Sequence, residues 1–600
     1  VPPSASRRFV PGTVPGFPLG LMALVLALLP AAVRADADVF GLGNGQHGAL
    51  DVVEAGVVIN ASTPLTAEAP AGATELGVAD ESAFAPGELV LVLQVGDELP
   101  LDEYRKGGDT LDVQDWGAGR WELARLLGVA PGVLRLEAPL LRRFALVSQV
   151  VRVPEFTEVR ISERGSLRAR PWNGRSGGVL AFLATGTVYN QGGLSAKGAG
   201  YRGGEAESGV ATALYGCAQE DGDAPSGGGA SKGEGLASGL SGAPTHGYGR
   251  LANAGGGGNC HDSGGGGGGH VGRGGKGGMS SQETVRDVGG RGGMPLRYSS
   301  PRERLLFGGG GGAGIEGSSG GAGGGILFVR ARSLLGSGEG STLTASGQDA
   351  PSAVSIHGGG GGGGAGGTVH VRIAEGLGCT SLQARGGVGA SSDISPGGGG
   401  GGGSLFVQAA GGVPTSLCKA SAGAGLAGYS PTGTRGAEPI SEGDSNFDGS
   451  VSVITEGFSV PPVPTWVSPG AGAADVEPLP RLEGKTAPGA TVQVLLDGAP
   501  LGAPVVADAS GGFAVVPSTE LASGAHEARA WAELLGARSA TSAPLGFTVS
   551  DGSSAGGDGE VDEGLALRVG FGCGVASGRG AWGLGLAVLA LALGRRRGWA

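Results

Sequence analysis

Short apolar runs, separated by stretches almost free of large side chains, set the pattern of the middle of the chain. Five segments share one plan: an apolar strand, a short irregular stretch, then a small-residue strand with Leu two or three residues before Ala. They run from Val150-Val-Arg-Val to Leu167-Arg-Ala, from Val179-Leu-Ala-Phe-Leu to Leu194-Ser-Ala, and from Ile326-Leu-Phe-Val to Leu343-Thr-Ala. Two more run from Val369-His-Val-Arg-Ile to Leu382-Gln-Ala and from Leu405-Phe-Val to Leu417-Cys-Lys-Ala, and Val451-Ser-Val-Ile-Thr after Asp448-Gly449 closes the series. A unit this small cannot bury its own apolar side, so the units must stack. Two short strands per coil predict a parallel β-helix over 149–460, interrupted by an insertion at 201–324.

The flanks follow other patterns. Residues 36–148 carry apolar or alternating runs at 52–60, 88–95 (Leu89, Leu91, Leu93), 121–129 and 133–137. Pro86-Gly87, Gly107-Gly108 and Pro131-Gly132 punctuate them, which predicts a small antiparallel β-module. In 461–550, the alternating Val492, Val494 and Leu496 end at Asp497-Gly498, a hairpin signal. Further short strands at even spacing around Phe513, 526–530 and 547–550 predict a β-sandwich. The fold class expected for the whole chain is all-β.

Glycine changes the picture of the middle. Residues 201–450 hold 79 of the 132 glycines, in runs such as 358–364 and 397–403, and not at the every-third spacing of collagen. Holding a seven-glycine run in a strand would cost about 4–7 kcal/mol relative to alanine, so these runs are not core strands. The 201–324 insertion is expected to form loops. For the seven-glycine runs two forms stay open, mobile corners or three-residue polyglycine helices packed side by side.

Both ends carry export signals. Arg7 and Arg8 precede an apolar run at 19–29 and a Val33-Arg34-Ala35 cleavage pattern, so 1–35 reads as a signal peptide processed after Ala35. At the other end, 551–572 is an acidic Gly/Ser spacer, and 573–600 holds Cys573, an apolar stretch at 581–594 and Arg595, Arg596 and Arg597. Fourteen helical residues reach only about 21 Å, short of a bilayer core of roughly 30 Å, which suits a processed tail better than a durable anchor. Removing 1–35 and 573–600 takes away seven basic residues, leaving 42 − 7 = 35 against 54 acids, a formal charge of −19. No segment of this acidic remainder concentrates Lys and Arg, so nucleic acid is not an expected partner.

The tail, with its Cys573-Gly574 pair, resembles the C-terminal sorting tails of myxobacterial surface proteins, which a membrane protease recognises and cleaves at such a Cys. Pro488-Gly-Ala-Thr-Val492 and Asp497-Gly498 resemble bacterial immunoglobulin-like repeats. With Glu88-Leu-Val-Leu-Val-Leu-Gln94, Gly119-Arg-Trp-Glu-Leu-Ala124 and the glycine-rich coils, the whole resembles the adventurous gliding motility protein C group of myxobacteria. That resemblance implies an exported protein of the outer membrane or cell surface, or a secreted one. It links the chain to gliding and does not imply an enzyme; the function expected is a non-catalytic structural or adhesive one. Its implied contacts are the membrane through the unprocessed tail, a sorting protease, and surface polysaccharide or other envelope proteins. A tail anchor in the inner membrane, facing the periplasm, is the alternative placement.

Candidate chemistry is sparse. An exported chain permits disulfides. Cys379 and Cys418 fall in adjacent coils near the same strand, which makes 379–418 a candidate disulfide, with Cys217–Cys260 closing the insertion; four Cys allow three pairings, and the sequence does not choose among them. Cys260-His261-Asp262 with His270 is linked through glycines that fix no geometry, so no metal site is assigned. Asp444-Ser-Asn446-Phe-Asp448-Gly449 opens like a calcium loop, but Thr455 stands where the closing acid belongs, and a turn is expected. No cofactor motif occurs. The alternative function is a carbohydrate-active β-helix, a polysaccharide lyase or hydrolase. The coil strands offer it Arg330 and Arg372, with no recurring carboxylate pair beside them.

Overall fold

The structure, a computed structural model, describes residues 40–96, 110–206, 229–239, 243–281, 288–338, 340–352, 358–378, 381–413, 419–430, 437–438, 445–534 and 537–550. The proposed signal peptide with Ala35, the acidic spacer and the tail with Cys573 lie outside them, as do Cys217, Cys379 and Cys418.

Two parallel sheets build the coils. The front sheet runs in the order Ala49–Val52, Glu158–Ile161, Val179–Asn190, Ile326–Gly336, Thr368–Ile373, Ser404–Gln408 and Ser450–Ile454. The back sheet runs Ser166–Arg168, Gly193–Ser195, Thr342–Thr344, Ser381–Gln383 and Lys419–Ser421. Register carries the pattern directly into packing. Leu167, Leu194, Leu343 and Leu382 form one row on the back sheet, facing the row Leu180, Leu327, Val369 and Leu405 on the front. Both rows are buried in one core. The fold is all-β and solenoid-like, as expected.

The front sheet is buried on both faces, which is why its strands read as unbroken apolar runs and not as alternating ones. Val179, Ala181, Leu183, Ile326 and Phe328 face away from the back sheet into a second core, shared with Leu89, Leu91, Leu93, Val151 and Val153. Those residues belong to the N-terminal antiparallel sheet, ordered Ser62–Pro64, Ser148–Val153, Leu89–Gln94, Trp121–Ala130, Val133–Leu136 and Glu75–Gly77. Two expected boundaries therefore move. The strand Ser148–Val153 pairs antiparallel with Leu89–Gln94 and does not open the first coil. Ala49–Val52, expected in the N-terminal module, adds to the front sheet beside Glu158–Ile161. The forked pair of Arg125 with Glu155, both bonds 2.8 Å, ties the module to the coils, and the Glu155 side chain is fully buried.

The described residues of the insertion do not form a set of loops. Residues 264–269 show what they form. Their amides donate in a three-residue rotation: Gly264 and Gly267 to the carbonyls of Gly278 and Gly275, Gly265 and Gly268 to Gly360 and Gly363, Gly266 and Gly269 to Gly256 and Asn253. Their carbonyls accept in the same rotation from Gly290 and Gly293, from Gly398 and Gly401, and from Gly312 and Gly309. Six neighbouring segments thus surround one, each bonded at every third residue. A backbone with three residues per turn is required for that rotation, the extended helix of the polyproline II type. Residues 359–367 repeat the arrangement, donating toward 309–315, 395–401 and 345–348 and accepting from 265–268, 321–324 and 387–390. The seven-glycine runs and the described glycine-rich segments of the insertion are parts of one hydrogen-bonded lattice, and the glycines of 264–269, 358–364 and 397–403 are buried.

Glycine is required here by close approach and not by backbone sign, since none of 264–269, 308–312, 358–364 or 397–403 takes a positive φ. A Cβ built on Gly267 would stand closer than 3.0 Å to the Gly399 carbonyl, a separation real Cβ atoms essentially never show. The energetics also reverse the expectation of loops. Ordering a glycine costs about 0.5–1 kcal/mol more than alanine, and each backbone hydrogen bond returns a net contribution of about 0.5–1.5 kcal/mol. No side-chain entropy is lost on burial. Every N–H and C=O of 264–269 finds a neighbour, so this central segment also meets the requirement that buried backbone be paired.

Residues 465–549 form a separate two-sheet β-sandwich. Thr465–Ser468, Leu482–Lys485 and Gly512–Val515 make one sheet; Ala473–Val476, Leu545–Val549, Gly524–Leu534 and Thr491–Leu496 lead the other. Val492, Val494, Ala528, Ala530, Phe513 and Phe547 lie in its core. Asp497 and Gly498 both take positive φ, +50° and +83°, between antiparallel strands, the two-residue turn their sequence predicts.

Gly362→Ala would press a Cβ on the Gly266 carbonyl, and is expected to lower the unfolding free energy by about 3 kcal/mol or more. Val388→Ala, at an exposed lattice edge, is expected to change it by less than about 0.5 kcal/mol. Chemical denaturation of both variants beside the parent protein checks the pair.

Candidate binding surface

The lattice sorts side chains by position. With three residues per turn, positions i and i+3 fall on one edge of a segment, so a segment at the lattice surface can carry side chains on every third residue only. Arg273-Gly-Gly-Lys276-Gly-Gly-Met279 and Val288-Gly-Gly-Arg291-Gly-Gly-Met294 have this form, and so does Arg385-Gly-Gly-Val388. Arg273, Lys276 and Met279 are all partly exposed while the glycines between them are buried. Pure glycine runs are interior; Gly-Gly-X runs carry side chains off the lattice, toward solvent at Arg273, Lys276 and Arg291 and into buried surroundings at Val288 and Met294. No expectation drawn from the sequence included this rule, although the period of three is visible in it.

One face of the lattice gathers cations. The segments bearing Arg273, Lys276 and Arg291 are adjacent, since the Gly274 and Gly277 amides donate to Gly293 and Gly290. Arg291 donates its amide to Tyr248, and its guanidinium lies 5.1 Å from that ring. Arg273 lies 4.2 Å from the Phe447 ring and donates to Glu438 at 2.6 Å. A cleft of about 560 Å³ is lined by Arg250, Arg273, Lys276, Arg291 and Glu438. A second, of about 790 Å³, shares Arg250 and Arg273 and continues to Arg297, Tyr298 and Asn446. A separate depression of about 520 Å³ opens where the N-terminal module meets the lattice, beside Trp172, Tyr201 and the ion pair of Arg202 with Glu234. Its aromatic side chains serve the core: Trp172 and Tyr201 both pack on Phe307, with ring centroids 5.5 and 5.4 Å away.

The sequence candidates are distributed differently. Arg330 and Arg372 occupy register-matched positions on the front sheet, but are 0% and 1% exposed and enclose the Phe458 ring at 5.2 and 4.8 Å. His370 is stacked between Phe328 and Phe406 in the same layer. These side chains fill the core and line no groove. Cys260 is buried and disulfide-bonded, its partner among the Cys outside the described residues. Asp262 accepts from the Ser281 amide at 2.7 Å. Asn446 and Asp448 accept from the amides of Arg273 and Ala424, so this stretch caps the lattice. Among the described residues no group of three or more His, Cys, Asp or Glu is placed to hold a metal ion. Glu68, Asp80, Asp112, Asp497 and Asp508 all titrate below the ordinary carboxylate range. Arg143 holds Glu68 there, and the Gln114 amide with Arg297 holds Asp112.

His270 ends the central glycine run and is fully buried. Its Nδ1 lies 2.9 Å from the Gly366 carbonyl, its ring stacks near Tyr298, and its Nε2 meets no hydrogen-bond partner among the described residues. Burial pushes its pKa down to about 4, because a charged imidazolium has no water to solvate it in the lattice.

No known protein family matches the chain, and no curated protein matches it. Three solved structures share partial likeness. The tailspike protein gp49 from Pseudomonas phage LKA1 aligns at 9% identity and a TM-score of 0.13, over 62% of this chain and 54% of its own. The Gp54 tailspike of Acinetobacter baumannii bacteriophage AP22, solved with A. baumannii capsular saccharide, aligns at 8% and 0.14, over 60% and 59%. The Pseudomonas phage phi297 tailspike gp61 aligns at 12% and 0.13, over 83% and 86%. The chain thus spans little more than half the length of the first two, and the fold stated above rests on its strand pairing.

The His270 environment sets a pH dependence. Unfolded, this group titrates near 6.5, and in the fold near 4, so the unfolded chain binds more protons in between. Its contribution is complete above about pH 6.5 and is lost as pH falls toward 4. The unfolding midpoint should drop across that window, and His270→Asn should flatten the drop; denaturation at a series of pH values measures both.

Proposed function

We propose that the chain is a non-catalytic, exported surface protein with an adhesive or structural role, in which a backbone lattice holds binding side chains rigidly outward. The observation that carries this reading is the lattice itself. Its interior is cross-linked through main-chain groups and contains almost no side chains, so the identity of the outward residues is decoupled from folding. Such a scaffold suits recognition over an extended face, where several weak contacts must be held at fixed spacing. On a gliding cell it would act as an adhesive element of the envelope.

Two measurements test the reading. Protease or amine-reactive label added to intact producing cells should reach the chain. The purified chain, incubated with acidic and neutral polysaccharides, should leave their length distribution unchanged. Time-dependent shortening of any polymer would make it an enzyme, and protection of the chain in intact cells would remove it from the surface.

A further inference from the structure

We infer that the cationic lattice face bearing Arg250, Arg273, Lys276 and Arg291 binds an acidic polysaccharide as an extended strand. The inference rests on the surface reading above and supplies its ligand class. Three observations carry it. The first is charge: the chain as a whole carries −12. Yet the described residues lining this cleft set four cations against one carboxylate, Glu438, which is itself shared between the Arg273 guanidinium and the Lys276 amide. The second is spacing. Arg273 and Lys276 stand three residues apart on a helix rising about 3.1 Å per residue, so their stems repeat at about 9 Å. That is about the length of two linked sugar rings, so it matches the carboxylate repeat of an acidic polysaccharide built from disaccharides, or every second carboxylate of a homopolymer such as polygalacturonate, and it exceeds the phosphate step of a nucleic acid strand.

The third is stiffness and composition of the cleft. The arginine stems leave lattice segments with no freedom to re-space, and two guanidiniums are braced on aromatic rings, Arg273 on Phe447 and Arg291 on Tyr248. Beyond Arg273 the cleft continues along Tyr298, Asn446, Ser450 and Ser452, an aromatic ring with hydroxyl and amide groups suited to sugar hydroxyls. Carboxylates would meet the cations and ring hydroxyls the polar extension. A fixed array of this kind binds one repeat weakly and a long polymer well.

The test uses the full chain with polygalacturonate, dextran and single-stranded DNA as probes in a sedimentation or surface-binding assay. Polygalacturonate should bind, dextran should not, and added salt should weaken the binding. The variant carrying Arg250→Gln, Lys276→Gln and Arg291→Gln should lose affinity by about tenfold or more, with an unchanged unfolding midpoint. Arg135→Gln with Arg143→Gln, which removes two exposed cations of the N-terminal module, should bind as the parent does. No binding, salt-insensitive binding, or equal loss in both variants would overturn the site. DNA bound as tightly as polygalacturonate would overturn the choice of ligand, since the spacing would then not be read. Binding accompanied by shortening of the polymer would retain the site and overturn the non-catalytic reading, while an intact polymer left unbound would do the reverse.

Discussion

The approach of one main chain to another with no Cβ between them is the constraint on which this protein is built. In the runs 264–269 and 358–367 each segment exchanges hydrogen bonds with six others, in a rotation that a three-residue helix alone supplies. That geometry leaves no interior room for a side chain. It therefore dictates which residues are glycine, where other residues can appear, and how the insertion between the second and third coils is ordered. Collagen meets the same crowding at its axis with glycine at every third position. Here the crowding surrounds the interior segments on all sides, so 264–269 and 358–364 are glycine throughout, and the buried exception in the second segment, Ala365, carries only a methyl group.

Two kinds of core meet across the front sheet. Toward the back sheet lies an apolar core of Leu, Val and Ile in matched rows. On the other side the same strands pack against the N-terminal module and against Leu305, Leu306, Phe307 and Met294, which border the lattice. The glycine runs 358–367 and 397–403 lead directly into the strands Thr368–Ile373 and Ser404–Gln408, so lattice and coil share one chain direction and one register. Buried Arg330 and Arg372, stacked around Phe458, belong to this seam.

Much of the fold was legible because apolar spacing maps onto register. The leucines 167, 194, 343 and 382, aligned by repeat alone, are hydrogen-bonded neighbours. Val150-Val-Arg-Val reads as a coil strand because valines fall on both of its faces, and a module strand pressed on the front sheet carries that same pattern. The lattice was hidden because glycine's strand and loop preferences describe a chain in isolation, while here each glycine is stabilised by segments distant in sequence. A sharper signal was present in Gly-Gly-X: a period of three with Arg273 and Lys276, or Arg385 and Val388, at the third place. The cationic face was not legible from overall charge. It is assembled from 250, 273, 276 and 291, and only the lattice makes them neighbours.

The interior of the lattice tolerates almost no change, because a Cβ on its glycines would press on a neighbouring carbonyl. The central claim is that the glycine runs are ordered core, and amide hydrogen exchange read by mass spectrometry on peptides spanning 264–269, 358–367 and 397–403 tests it most directly. Glycine amides exchange fast when free, so the contrast is large. Protection equal to that of the front-sheet strand Ile326–Gly336 is the predicted result. Exchange at the rate of an unstructured chain, with that strand still protected, would contradict it.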